Sequence, residues 1–273
     1  MKKVVLISGA TRGIGRSIAI HLANNHYSVV VNGTNQLLID EVVQQIQSEG
    51  HEAIGYCADI SDMDAVSAMM EVIIEAFGQM DVFIHNAGIL RDEKCTKMTT
   101  EQWQDVINVH LHGAFYSISH VLPHLLKQGG DILLMTSTAG LLGSKGQLNY
   151  SAAKAALLGM TWTLAEELKP FNIRVNAISP AALTDMTKPV IDFITKKYEE
   201  RNESFPDFWK VGQPEDVAYF IGTLLAQQDP TMTGEIFGVN GTTVTKWVKP
   251  QKSFSASSPE QFFAMYKQQK GSD

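Results

Sequence analysis

The feature that most constrains this chain is a rhythm: seven short apolar runs, each separated from the next by a segment long enough for a helix. The runs lie at 4–8, 29–31, 53–57, 82–85, 131–135, 173–178 and 235–239. The first, Val4-Val5-Leu6-Ile7-Ser8, is a continuous apolar stretch, the pattern of a strand covered on both faces. Helices are expected over 14–25, 36–48, 61–77, 99–127, 150–168 and 214–227. Ser61-Asp62-Met63-Asp64 has the character of a helix start, as does Thr99-Thr100-Glu101-Gln102. Gly129-Gly130 and Pro170 act as stops. Crossovers of helical length join parallel strands with a right-handed turn. The expectation is one α/β domain over 1–245, with a doubly wound seven-stranded parallel sheet and helices on both faces.

Two segments break the rhythm. Residues 183–212 are long and polar, with Phe205-Pro206-Asp207-Phe208-Trp209 near their end. Residues 246–273 form an extension, in which Ser258-Pro259-Glu260-Gln261 reads as a helix start.

Charge and composition exclude several classes. A net charge of -7 opposes binding to nucleic acid. No apolar run is long enough for a bilayer, and the apolar start is too short for a signal peptide, so a cytoplasmic protein without membrane contact is expected. Cys57 and Cys95 are far apart and read as two reduced thiols. His110 and His112 stand two apart in a stretch expected to be helical and do not share a helix face, so no metal site is expected.

The first run leads into Ser8-Gly9-Ala10-Thr11-Arg12-Gly13-Ile14-Gly15. Glycines at a strand-to-helix corner allow a tight turn and close approach of backbone to a pyrophosphate. The helix start then offers free N–H groups to the anion. This is the pattern of a dinucleotide site, with Gly9, Thr11, Arg12, Gly13, Ile14 and Gly15 as its corner. The second run ends in Asn32-Gly33-Thr34-Asn35, without the acid that would bond an adenosine ribose and repel a 2′-phosphate. With Arg12 nearby and Thr34 as a donor, NADP(H) is favoured over NAD(H). Asp59, with Ile60 beside it, is placed to meet the adenine, and Asn86-Ala87-Gly88 lets the cofactor pass close to the sheet edge.

Tyr150 and Lys154 are four apart on one helix face. A phenol titrates near ~10, too high for acid–base work at neutrality, and an adjacent ammonium is expected to lower it. Lys154 is also placed to donate to ribose hydroxyls. Ser137, after the fifth strand, is placed to hold a substrate oxygen. Asn108, in the long helical stretch, would bind a relay water if the helix is interrupted there.

Together these residues resemble the short-chain dehydrogenase/reductase family. The corner is similar to its T-G-x-x-x-G-x-G motif, Asn86-Ala87-Gly88 to its N-A-G, and Asn108, Ser137, Tyr150 and Lys154 to its catalytic tetrad. The resemblance covers roughly residues 3–245. It implies a single-domain Rossmann fold and an oxidoreductase acting on a small carbonyl or alcohol substrate. Pro180 and Thr184 match a segment whose threonine contacts the nicotinamide. Arg12 and Gly33-Thr34 look like NADPH-dependent 3-oxoacyl-[acyl-carrier-protein] reductases, whereas 178–187 looks like hydroxyacyl-CoA dehydrogenase domains. The implied reaction is reduction of a 3-oxoacyl thioester or related ketone, with an NAD-dependent 3-hydroxyacyl-CoA or alcohol dehydrogenase as the alternative. The intact tetrad argues against a non-catalytic NADP(H)-sensing module. The family pairs through the helices expected near 100–127 and 150–168, which implies a homotetramer or dimer. Residues 183–212 would form a lid, with Phe205, Phe208 and Trp209 as apolar walls. Ser8, His85 and Ala181 depart from the family's threonine, asparagine and glycine, and His85 puts local hydrogen bonding in doubt.

Overall fold

Val4–Ser8 forms β1, buried along its whole length. Its side chains alternate between two cores: Val5 and Ile7 face one, Val4 and Leu6 the other. The computed structural model describes residues 2–270, the side chains of Phe208, Gln269 and Lys270 excepted.

The elements that follow are α1 (Gly13–Asn24), β2 (Ser28–Gly33), α2 (Gln36–Ser48), β3 (Ala53–Cys57), α3 (Met63–Phe77) and β4 (Val82–His85). Then come α4 (Thr100–Ile107), a π-helical turn (Asn108–His112), α5 (Gly113–Gln128), β5 (Gly130–Met135), α6 (Thr138–Leu142) and α7 (Leu148–Leu168). The last part holds β6 (Ile173–Ala181), α8 (Lys188–Glu200), α9 (Pro214–Ala226), β7 (Ile236–Asn240), β8 (Thr243–Trp247) and α10 (Pro259–Lys270). The caps follow the sequence signals. Asp62 Oδ1 accepts the N–H groups of Asp64 and Ala65, and Thr99 and Gln102 form a reciprocal capping box.

The sheet order is β3-β2-β1-β4-β5-β6-β7-β8. Strand order therefore reverses between β1 and β4, and ligands of such sheets sit in the crevice outside the carboxyl ends of the strands there. Helices α1, α2 and α9 cover one face through Ile18, Leu22, Ile39, Val42, Val217 and Ile221. On the other face lie α3, α5 and α7, through Met69, Ile73, Val121, Leu125 and Leu157. Each such side chain, fully buried, contributes about 1.5–3 kcal/mol of transfer free energy.

Two expectations need correction. The sheet has eight strands rather than seven: β8 pairs antiparallel with β7 across Gly241-Thr242. Gly241 takes φ +56°, which lets the chain reverse on two residues. The polar, mostly exposed sequence of β8 hides it from an apolar-run search. The long helix expected over 99–127 is broken by the π turn at Asn108–His112, where backbone bonds skip one further residue.

Residues 183–212 contain α8, and their two ends are tied together: Leu183 N–H donates to Gly212 C=O, and Gly212 N–H to Ala181 C=O. No helix among the described residues is long and apolar enough to cross a membrane.

Candidate active site

The glycine corner packs directly on the segment after β4. Gly9 takes φ +64°, and a Cβ there would lie 2.7 Å from the Ala87 Cα. A Cβ on Gly15 would collide with the Gly9 carbonyl and the Asn86 amide. Asn86 Nδ2 donates to the carbonyls of Ser8 and Gly9, at 3.2 and 2.8 Å. Gly33 at the end of β2 leaves room for Thr11, whose Cγ2 would be 2.7 Å from a Cβ there. Gly13 opens α1 with φ +51°, and Thr184 lies against it. Two backbones held this closely, with a helix start behind them, form a cradle that side chains do not fill. Its shape and donors fit a dinucleotide pyrophosphate.

Around the cradle, Arg12 and Thr34 are exposed. No carboxylate closes β2: Asn32 is buried and spends its amide on the carbonyls of Tyr56 and Ala58. Asp59 is exposed and accepts from Ser61 N–H and Oγ, while Ile60 is buried and packs against Gly113. Ala87, Gly88 and Pro180 line strand ends at the same crevice, half-buried. Ile14 packs on the core below.

Ser137 caps α6, its Oγ accepting Ala139 N–H at 3.2 Å. Its hydroxyl lies near enough to the Tyr150 phenol to favour the ionised form. Two contacts set Tyr150 on α7. Asn149, fully buried, donates to the carbonyls of Arg91 and Gln102 and accepts the Tyr150 N–H at 2.8 Å. Behind the ring, Lys154 Nζ stands 5.6 Å from its centroid. Lys154 is 3% exposed and donates to the Met135 carbonyl at 2.6 Å. Thr136 Oγ1 bonds the Lys154 carbonyl, and Gly140 lets α6 lie on the same turn of α7.

The electrostatics differ from the expectation. Burial pushes the Tyr150 phenol above its ordinary value; the nearby Ser137 hydroxyl opposes this and Asp92 adds to it. Burial also lowers the Lys154 ammonium to about 7. A half-neutralised amine already donating to a carbonyl does not supply the strong cation that would lower the phenol. Tyr150 is thus held as an acid across the neutral range.

The π turn presents a different residue from the one expected. Asn108 is exposed, whereas His110, two residues on, is buried with its ring edge-on to Tyr150, centroids 5.3 Å apart. The extra residue per turn rotates the helix face, which spacing along the sequence does not reveal. The structure brings Ser137, Tyr150 and Lys154 together and leaves Asn108 outside. His85, His110 and Asn149 were not expected at the site. The signal for His85 was its replacement of the family's asparagine. Phe205 and Trp209 are half-buried, and the Phe208 side chain lies outside the described residues.

Comparison with known proteins agrees with this fold. The family model "short chain dehydrogenase" matches residues 3–194. A 3-oxoacyl-[acyl-carrier-protein] reductase of Synechocystis is 38% identical over 253 residues, covering 89% of this chain and 97% of the relative. The corresponding reductase of Staphylococcus aureus is 36% identical, covering 88% and 98%. The crystal structure of a short chain dehydrogenase from Mycobacterium avium superposes with a TM-score of 0.79 at 31% identity, covering 98% of this chain and 94% of that one.

Proposed function

The chain belongs to the short-chain dehydrogenase family, an oxidoreductase acting on CH–OH groups, and on that premise we propose that it reduces a 3-oxoacyl thioester or related ketone with NADP(H). The observation that carries this reading is a Tyr150 phenol kept protonated by burial, with the Ser137 hydroxyl near it and Lys154 behind its ring, beside the glycine cradle. When bound, the reduced nicotinamide supplies the hydride. Ser137 and Tyr150 hold the substrate oxygen, and Tyr150 gives it the proton. Lys154, buried one helical turn on, holds the phenol's surroundings and is placed to meet the nucleotide ribose. The catalytic set is then Ser137, Tyr150 and Lys154. The cofactor is held by Gly9, Thr11, Arg12, Gly13, Ile14, Gly15, Thr34, Asp59, Ile60, Asn86, Ala87, Gly88, Pro180 and Thr184.

NADP(H) is favoured by an exposed Arg12 and Thr34 and by an Asn32 whose amide is already used. Catalysis resides in 1–245, with 183–212 as a lid over an acyl substrate and 246–273 as an extension. The chain works as a dimer or tetramer: Phe115 on α5 and Leu148 on α7 expose 57% and 50% of their surface. Oxidation of NADPH and of NADH, measured side by side with acetoacetyl thioesters and small ketones, tests the reading. Turnover with NADPH and a 3-oxoacyl thioester is expected; turnover with NADH alone, or with no carbonyl substrate, overturns it.

A further inference from the structure

Two imidazoles outside that set are buried, His85 at 0% and His110 at 1% exposure, and the His110 ring lies edge-on to Tyr150. Their hydrogen bonds have a direction. Ser8 Oγ accepts the N–H groups of Asn86 and Ala87, each at 3.1 Å. A hydroxyl has two acceptor lone pairs and one proton, so the proton is left to give. His85 Nδ1 stands 3.4 Å away to take it. That leaves the His85 proton on Nε2, which lies 3.0 Å from the His110 carbonyl oxygen. The chain therefore runs one way, from the end of β1 to the π turn.

The His110 ring is fixed from its other side. Its Nε2 lies 3.0 Å from Ile89 N–H and 2.9 Å from Ile89 C=O. Either neutral tautomer is bonded there, while Nδ1 has no partner among the described residues. Gly88 makes this seat possible, because a Cβ there would strike the ring. Burial keeps both imidazoles neutral, and the partial charge of Lys154 adds to this.

We propose that His110 is the positioning residue for Tyr150: the Ser8–His85 chain fixes the π turn, and the Ile89-anchored ring sets the phenol against Ser137. The proposal rests on the reading of Tyr150 as proton donor. It also puts the phenol and the glycine corner in one frame, since Ser8 begins that corner.

The test uses the full chain and steady-state kinetics with NADPH and an acetoacetyl thioester. His110→Phe keeps an aromatic edge but cannot bond Ile89. His110→Gln offers an amide whose donor and acceptor match the Ile89 C=O and N–H. We expect His110→Phe to lose about ten-fold or more in kcat with KM for NADPH within about two-fold, and His110→Gln to recover most of the loss. An unchanged kcat in His110→Phe overturns the proposal, as does an equal loss in both variants. Should His110→Phe not fold, Ser8→Ala decides: it removes the hydroxyl that orients His85 without touching Tyr150. A several-fold fall in kcat at constant KM supports the chain; wild-type kcat overturns it. A wild-type protein without turnover sinks the proton-donor reading itself, a result distinct from any of these.

Discussion

His85 Nε2 lies 3.0 Å from the carbonyl oxygen of His110, joining the end of a central strand to the one irregular turn in the long helical stretch. The contact explains how the π turn is held against the sheet. Such a turn leaves backbone groups without their usual partners, and here a buried imidazole supplies one.

Lys154 makes stability depend on pH. Its ammonium titrates near 7 when folded, against an ordinary value of 10.5. Between those values the unfolded chain binds more protons, so stability contributed at this position rises as pH increases from about 7 towards 10.5 and is flat below 7. Lys154→Met removes the cost of burying the charge, on the order of a few kcal/mol near neutrality. Thermal unfolding of the two proteins across that range should show the gap narrowing as pH rises. A constant gap would contradict the assignment.

Gly9→Ala should damage the cradle twice over. The residue sits at φ +64°, and its Cβ would press on the Ala87 backbone. The strain is about 1 kcal/mol before any displacement of 86–88. Calorimetry should find NADPH binding weakened about ten-fold or more, with a modest loss in Tm. Unchanged affinity would mean that the nucleotide does not use this corner.

Cofactor choice should turn on two exposed side chains. Arg12→Ala combined with Thr34→Asp removes a cation and adds an acid where a 2′-phosphate would lie. A charge-assisted contact is worth about 1.5–3 kcal/mol, so the NADPH-to-NADH ratio of kcat/KM should fall by about 10–100-fold. A ratio that does not move would place phosphate recognition elsewhere.

Far from the site, Asp131 and Arg174 form a buried ion pair at 2.7 Å. Burial outweighs the arginine and lifts the Asp131 carboxyl above its ordinary value. Asp131→Asn leaves a buried guanidinium without its counter-charge, which costs about 3–5 kcal/mol. Denaturant unfolding measures it; a loss under 1 kcal/mol would show that the Gln227 carbonyl, also bonded by Arg174, suffices.

Most of the frame was legible in the residues. Continuous apolar runs such as 4–8 and 131–135 mark parallel strands because both their faces are covered. Ser137, Tyr150 and Lys154 were legible because strand ends and a four-residue helical spacing fix where their side chains go. Three things were not. β8 carries Thr243, Thr245 and Lys246, so no apolar run betrays it. Asn108 was expected at the site and His110 stands there instead, in a π turn that carries no composition signal. The direction of the Tyr150 shift depends on burial, which no residue spacing reports.

Tyr150 is the group that gives the proton. The most direct measurement is NADPH oxidation by an acetoacetyl thioester in wild type and in Tyr150→Phe, with NADPH affinity determined for both. Tyr150→Phe should lose about 10²–10⁴-fold in kcat with affinity nearly unchanged. A Tyr150→Phe enzyme that turns over at the wild-type rate would contradict it.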